Sequence, residues 1–276
     1  MRLVHSYRAC KILYDFIVSN DIAGKILLPA NVCSDVVETI NEAGAMPEFV
    51  DIDKSTLCMD EQETLKGVAY SKALLFVHTY GVESDFEDFF HRVKDTNPEI
   101  AIIDDKCLCW PDLHTDLSTE ADLVLYSTGA KKQLDLGGGG YGFVKRSRID
   151  SKSGNGNSMI LNNGEFVSCQ DVDYYRVISH RDAIFRIYEK NLPFSIQLPK
   201  QFQKWRFNIV VNNKEDVLKA LFAKGLYASG HYKPLTSSCP NAKWLYDHVV
   251  NLFEDGYYTE EQAIKTCKVI IDNLVV

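Results

Sequence analysis

Residues 127–144 read STGAKKQLDLGGGGYGFV. Lys131 and Lys132 stand six and five residues ahead of Gly137, the first of four consecutive glycines. The stretch is entered from one apolar run, DLVLYST, and left through another, YGFVKR. The spacing of residues 137–142 formally satisfies the G-x-G-x-x-G of a dinucleotide-binding loop. That loop requires a strand before it and a helix opening at its end, where the pyrophosphate meets the helix N-terminus. Here a strand pattern follows the glycines, so the nucleotide reading fails in context. A P-loop fails too, because no Gly-Lys-Ser/Thr stands at the required offset.

A plain turn between two strands would account for the glycines alone. It does not account for the company they keep: Lys132, Ser127 at the end of a strand pattern, and the acidic pair Asp104 and Asp105 closing another apolar run. A lysine amine held near an aldehyde forms a Schiff base, and a buried carboxylate keeps a pyridine nitrogen protonated. These are the parts of a pyridoxal phosphate site. Glycine beside such a lysine lets the backbone approach closely and take positive φ.

Outward from this stretch, short apolar runs alternate with helical patterns: a helix near 7–20, strand KILLPA, a helix near 34–43, strand MPEFVDID, strand KALLFVHTY, a helix near 84–95, then strands IAIIDDK and DLVLYST. Strands separated by helical segments predict right-handed crossovers and a mostly parallel sheet covered on both faces, an α/β fold. Beyond YGFVKR, the polar run SKSGNGNSMILNNGE reads as a loop or hairpin tip, and YYRVISHRDAIFRIYEKNL as a long amphipathic helix. The remainder predicts a small α+β unit: strand RFNIVV, a helix over 213–224, strand GLYASGHY, and helices near 243–252 and 258–274. The expected division is a large domain over 1–190 and a small C-terminal domain over 191–276.

Composition bounds the function. The chain has 276 residues with a net charge of -8 and Lys and Arg scattered along it, which argues against a nucleic-acid partner. No apolar run reaches the roughly 20 residues that a membrane helix needs. MRLVHSYRACK lacks the apolar core of a secretory signal, so a cytoplasmic protein is expected. Eight cysteines without a CxxC pair read as free thiols. Cys107 and Cys109 find no further ligands at zinc-site spacing, and no metal is expected.

Several stretches, in order, resemble the DegT/DnrJ/StrS family of pyridoxal phosphate-dependent sugar aminotransferases, which have the aspartate aminotransferase fold. They are SYRACKIL (6–13), KILLPANVCSDVVETINEAGAMPEFVDID (25–53), LFVHTYG (75–81), IAIIDDKC (100–107), LYSTGAKKQLDLGGGGYGFV (125–144), GHYKPL (230–235) and VVNLFEDGYYTEEQAIKTCKVI (249–270). The family spacing from Ser127 reaches Lys132 and not Lys131, which makes Lys132 the lysine that takes the cofactor's aldehyde. By the same resemblance Asp105 pairs with the pyridinium nitrogen. Ser127 and the backbone amides around Tyr7, Arg8 and Ala9 hold the phosphate. His231, Tyr232 and His78 are candidates for meeting substrate. The resemblance implies transfer of an amino group, from a donor such as glutamate, to a keto sugar, usually nucleotide-linked, in amino-sugar or surface-polysaccharide synthesis by a homodimer. Where the family's aminotransferases carry Gln and its dehydratases His, this chain has Leu108; the usual ring-stacking aromatic is Cys33, and Tyr7 replaces a glycine. Those departures leave open another pyridoxal phosphate reaction, of dehydratase or lyase type, or an inactive member serving binding or dimerisation.

Overall fold

The computed structural model describes residues 1–112, 118–145 and 173–275. The apolar pentapeptides found in the sequence become strands because each can be covered on both faces. β2 (Lys25–Pro29), β4 (Ala73–Val77), β5 (Ala101–Asp105) and β6 (Leu123–Ser127) are almost wholly buried. With β1 (Arg2–Ser6), β3 (Met46–Val50) and β7 (Gly140–Val144) they form a seven-stranded sheet in the order β1-β7-β6-β5-β4-β2-β3. β2 to β6 run parallel, β7 is antiparallel to β6, and β1 is antiparallel to β7. The mostly parallel α/β sheet expected from the alternation is present.

Helices α1 (Ala9–Ser19), α2 (Ser34–Glu42), α3 (Glu61–Val68) and α4 (Glu87–Thr96) cover the sheet. Successive strand residues point to opposite faces, and the packing follows that rule. Leu74, Phe76 and Ile102 join one apolar cluster with Phe89 and Phe90 of α4. Leu75 and Ile103 join another with Leu13, Phe16 and Ile17 of α1. Continuing the alternation along β5, Asp104 falls on the α4 side and Asp105 on the α1 side.

The C-terminal part builds a three-stranded antiparallel sheet, β8 (Phe207–Val210), β10 (Val249–Leu252) and β9 (Ala228–Gly230), in that spatial order. It is accompanied by α5 (Tyr174–Asn191), α6 (Lys214–Phe222), α7 (Pro240–His248) and α8 (Glu260–Asn273). A third apolar cluster joins Ile184 and Tyr188 of α5 to Phe207, Ile209, Val250 and Ile270, so the end of α5, at the expected 190/191 division, shares the C-terminal core.

The structure corrects three elements of the sequence reading. The helix expected near 243–252 ends at His248, and Val249–Leu252 turns into the central strand of the small sheet, where all four residues are buried. β1 was not anticipated, because RLVHS offers one fully buried side chain, Val4, and owes its pairing to β7. The short α3 was also missed; its N-terminus is set by Asp60, whose side chain accepts from the Glu63 amide at 2.8 Å. The polar run at 151–165 lies outside the described residues.

The two parts are stitched together. Asp51, just past β3, accepts the backbone amides of Asn241 and Ala242, both at 2.9 Å, and so caps α7 from the large sheet. Trp205 donates its amide to Tyr80 O at 3.0 Å and its indole Nε1 to Lys131 O at 3.1 Å.

The start of α1 lies hard against β7. A Cβ added at Gly140 would stand 2.6 Å from Ala9 N and 2.7 Å from its Cα. Neither is a flexible side-chain end, so a backbone must move. We expect Gly140→Ala to cost about 1–3 kcal/mol, the usual range for overpacking, read as a lower urea midpoint with an unchanged m-value.

Candidate active site

A cavity of about 760 Å³ opens where the parallel strands end. The order of the parallel strands reverses between β2 and β4, since β3 lies outside β2 and the later strands continue on the other side. Ligands of open α/β sheets bind at such a switch point, outside the carboxyl ends of the strands. The lining follows: Cys33 comes after β2, Thr79 after β4, Asp105 ends β5 and Ser127 ends β6.

The acidic pair separates as the pleat requires. Asp104 turns away from the cavity, and its carboxylate meets His78 Nε2 at 2.7 Å and Lys106 Nζ at 3.3 Å. Burial alone would raise the Asp104 carboxyl, but the His78 and Lys106 partners outweigh it and hold the group low. Asp105 is 6% exposed, lines the cavity, and accepts the Cys107 amide at 2.9 Å. Burial pushes its carboxyl above the usual range; hydrogen bonds from Cys107 and the positive charge of Lys132 pull the other way.

The two lysines also part. Lys131 takes φ +63, anchors its amide to Asp135 Oδ2 at 2.7 Å, and sends its Nζ over the Phe253 ring, 5.2 Å from the centroid. Lys132 lines the cavity half-buried, close enough to bias the ionisation of Asp105. Ser127, also half-buried, accepts the Gly129 amide at 3.3 Å. Tyr7, Arg8 and Ala9 line the same cavity at the opening of α1, with Tyr7 67% exposed and Arg8 paired to Asp35 at 2.6 Å. No side chain caps that helix and no acid stands in its first turn. Among its leading amides Lys11 donates to Arg8 O at 3.1 Å, and the absence of a side-chain cap suits the helix start to an anion.

The substrate candidates divide. His231 and Tyr232 line the cavity. Asn31 Nδ2 lies 3.0 Å from His231 Nε2, which as acceptor leaves the ring proton on Nδ1. Burial drives the His231 imidazole down to about 3, with the Asn31 contact working against that and the charge of Lys214 adding to it. His78 does not reach the cavity. Its Nδ1 meets Val82 O at 2.7 Å, so with Asp104 on Nε2 both ring nitrogens are engaged in the core. The expectation of a substrate contact from His78 gives way to that buried pairing: His78 follows the end of β4 on the same face as Phe76, the register partner of Asp104.

The donor set fits pyridoxal phosphate. An uncapped helix start and a serine hydroxyl suit its phosphate, a buried carboxylate suits its ring nitrogen, and a primary amine suits its aldehyde. The loop between Lys132 and β7 adds a backbone cradle: Gly139 has φ +90, and a Cβ there would lie 3.0 Å from Thr128 Oγ1. Among the described residues no cluster of His, Cys, Asp and Glu could hold a metal ion, and no helix is long and apolar enough to cross a membrane.

Comparison with known proteins agrees with this geometry. The profile of the DegT/DnrJ/EryC1/StrS aminotransferase family matches residues 16–152. Over that stretch the chain is similar to this family. The family's aminotransferases are pyridoxal phosphate-dependent. A curated relative, the 3-oxo-glucose-6-phosphate:glutamate aminotransferase of Bacillus subtilis, is 29% identical over 115 residues, 41% of this chain. The matched stretch spans a quarter, 25%, of that relative's length. Solved structures share the fold over nearly the whole chain. A family aminotransferase from Brucella abortus has a TM-score of 0.75 at 16% identity, covering 99% of this chain and 86% of its own. DesV of S. venezuelae reaches 0.76 at 17% identity, covering 99% and 85%. Spr1654 of Streptococcus pneumoniae, solved in PLP and PMP forms, reaches 0.77 at 16% identity in the latter, covering 100% and 89%. This family fold holds its cavity residues on strand ends far apart in sequence, which is why some escaped the sequence reading. Asn31, Arg206 and Phe253 line the cavity, yet nothing in PANVC, KWRFN or NLFED marks them without the register of β8 and β10.

The His231 shift carries a pH consequence. Unfolded, the imidazole binds a proton below about 6.5; folded, it stays neutral down to about 3. The folded state is therefore penalised as pH falls between those values. Melting temperatures measured from pH 7 to pH 4 are expected to fall more steeply for the wild type than for His231→Asn; parallel curves would contradict the assignment.

Proposed function

We propose that this protein is a pyridoxal phosphate-dependent aminotransferase that moves an amino group from glutamate to a keto sugar. The observation carrying the proposal is the placement of Lys132 and Asp105 on one cavity at the strand ends, beside an uncapped helix start. The substrate class is supported by the names of the similar proteins: the Bacillus subtilis relative is named for a 3-oxo-glucose phosphate and for glutamate, and DesI was solved with its TDP-sugar product. A nucleotide-linked acceptor, a role in amino-sugar or surface-polysaccharide synthesis and a homodimeric assembly extend the same reading.

The residues divide the work. Pyridoxal phosphate, when bound, supplies an electron sink for the carbon that loses its proton. Lys132 would hold the aldehyde covalently and, once displaced by the donor amine, use its free Nζ to take the proton from the donor's α-carbon. In the second half of the cycle the same Nζ would return a proton to the carbon that was the sugar's carbonyl carbon. Asp105, shielded from water, would accept the hydrogen bond of a protonated ring nitrogen and keep that proton in place. Ser127 and the first amides of α1 would anchor the phosphate. His231, neutral across the working pH range, would act as a hydrogen-bonding wall and not as a cation.

Leu108 leaves a second reading open. It is 6% exposed on the cavity wall and contributes only its carbonyl, which accepts Gln133 Nε2 at 2.8 Å. Its side chain supplies neither the Gln of the aminotransferases nor the His of the dehydratases, so a dehydratase- or lyase-type reaction on the same Lys132 and Asp105 is the alternative.

Two experiments test the proposal. Protein incubated with pyridoxal phosphate is expected to turn yellow and, after borohydride reduction and proteolysis, to carry the cofactor mass on the Lys132 peptide; Lys132→Ala should carry none and lose turnover by at least about three orders of magnitude. A protein that stays colourless overturns the reading, and bleaching by glutamate without amination of any keto sugar favours the alternative. Asp105→Asn removes a buried charge, so the cofactor-free variant is expected to melt no lower than the wild type, while its turnover drops by about two orders of magnitude or more.

A further inference from the structure

Two arginines lie near the junction of the two sheets, and they are served very differently. Arg181 on α5 is 8% exposed; its guanidinium donates to Trp205 O and to Glu254 Oε2, the latter at 3.3 Å. It is a paired, structural cation. Arg206, at the entrance to β8, is 6% exposed, yet the one hydrogen bond of its guanidinium to a described residue runs from Nη1 to Ser229 Oγ at 2.7 Å. Among the described residues no carboxylate comes within ion-pair distance of it. Asp255 and Glu254 act on it only at longer range, and burial outweighs them, drawing the guanidinium down to about 10.

A guanidinium carries five N–H donors in a planar fork, and taking a cation out of water without a counter-ion is costly. What holds Arg206 in place is aromatic. Its guanidinium carbon sits 4.2 Å from the Trp205 ring centroid and 3.9 Å from that of Phe253. Stacking fixes the plane of the fork and leaves its edge free. That edge belongs to the cavity, which Arg206, Trp205 and Phe253 all line together with Lys132. Lys131 also lines the cavity and rests over the Phe253 ring, so two cations flank one aromatic with no described acid paired to either.

Resting on the aminotransferase reading, we propose that Arg206, braced by Trp205 and Phe253 and helped by Lys131, is a preformed oxyanion subsite that binds the carboxylate or phosphate group of a substrate. A planar oxyanion takes the fork in a bidentate pair, and a phosphate takes it with two of its oxygens. The two sources are the carboxylate of the amino donor and a phosphate on the acceptor sugar.

The test uses the protein loaded with pyridoxal phosphate, so that the cofactor's own phosphate site is filled. Calorimetric titration with glutarate, a dicarboxylate lacking the amine, and with inorganic phosphate measures each source without turnover. Arg206→Gln is expected to weaken one of the two by at least about tenfold, with Arg206→Lys intermediate because it keeps charge but not the fork. In the donor half-reaction, followed by the visible band, loss of the carboxylate contact raises the glutamate concentration at half-saturation by a similar factor, with a much smaller change in the limiting rate; loss of a phosphate contact moves the acceptor KM instead. Soaking wild-type crystals with the tighter probe should place oxygens within hydrogen-bond distance of the Arg206 fork, a result that does not depend on a variant folding. If the wild type reacts with glutamate but Arg206→Gln binds both probes unchanged, or the soaked probe sits elsewhere, the subsite is refuted while the aminotransferase reading stands. If the wild type takes up no cofactor, that reading fails first.

Discussion

A buried carboxylate facing a cavity is the constraint around which this protein is arranged. Asp105 can keep its place only because β5 is covered on both faces and ends at the cavity, where the strand's last residue looks into open space. The neighbouring Asp104 obeys the same pleat in the opposite sense and is neutralised by His78 and Lys106 inside the core. A shift of one residue in the register of β5 would exchange the two, burying the cavity's acid under α4 and sending a histidine-paired carboxylate into the cleft. The parallel register of β4 with β5, which sets Val77 beside Asp105, therefore serves the site as well as the sheet.

Around that carboxylate the cations are graded by how they are satisfied. Lys106 is spent on Asp104, Arg181 on Glu254 and Trp205 O, and Arg8 on Asp35. Lys132, Lys131 and Arg206 are the ones left to the cavity. The C-terminal segment thus supplies the aromatic brace, a neutral histidine and a positive edge to a cavity whose Asp105 and Ser127 end strands of the large sheet.

Much of this architecture is legible in the sequence because its signals are local. Strand pentapeptides such as ALLFV and LVLYS are buried on both faces and read as continuous apolar runs. The spacing from Ser127 to Lys132 to Gly137 is a property of one loop, so it survives translation into three dimensions. The choice of Asp105 over Asp104 came from resemblance; the pleat turns Asp105 to the cavity and Asp104 to the core. What the sequence hides is pairing at a distance. VVNL looks like the continuation of a helix until Phe207–Val210 and Ala228–Gly230 claim it from either side. His78 looks like a polar residue at a strand end until Asp104, 26 residues on, takes its ring. Arg206 carries no mark at all, because what distinguishes it is that no carboxylate among the described residues pairs with it, and that becomes visible only when Trp205, Phe253 and Ser229 are brought to it.

The double cap that Asp51 provides to α7 limits how the cleft can breathe. A swinging motion of the C-terminal segment as a rigid flap would strip two amides from a carboxylate that is itself 7% exposed, and would leave that charge unmatched in the interior. Substrates must then be admitted by rearrangement at the rim, around side chains such as Tyr7 and Tyr232, while the walls stay clamped. A cofactor bound behind such walls would leave slowly, a matter of residence time set by the scaffold and not by contact strength alone.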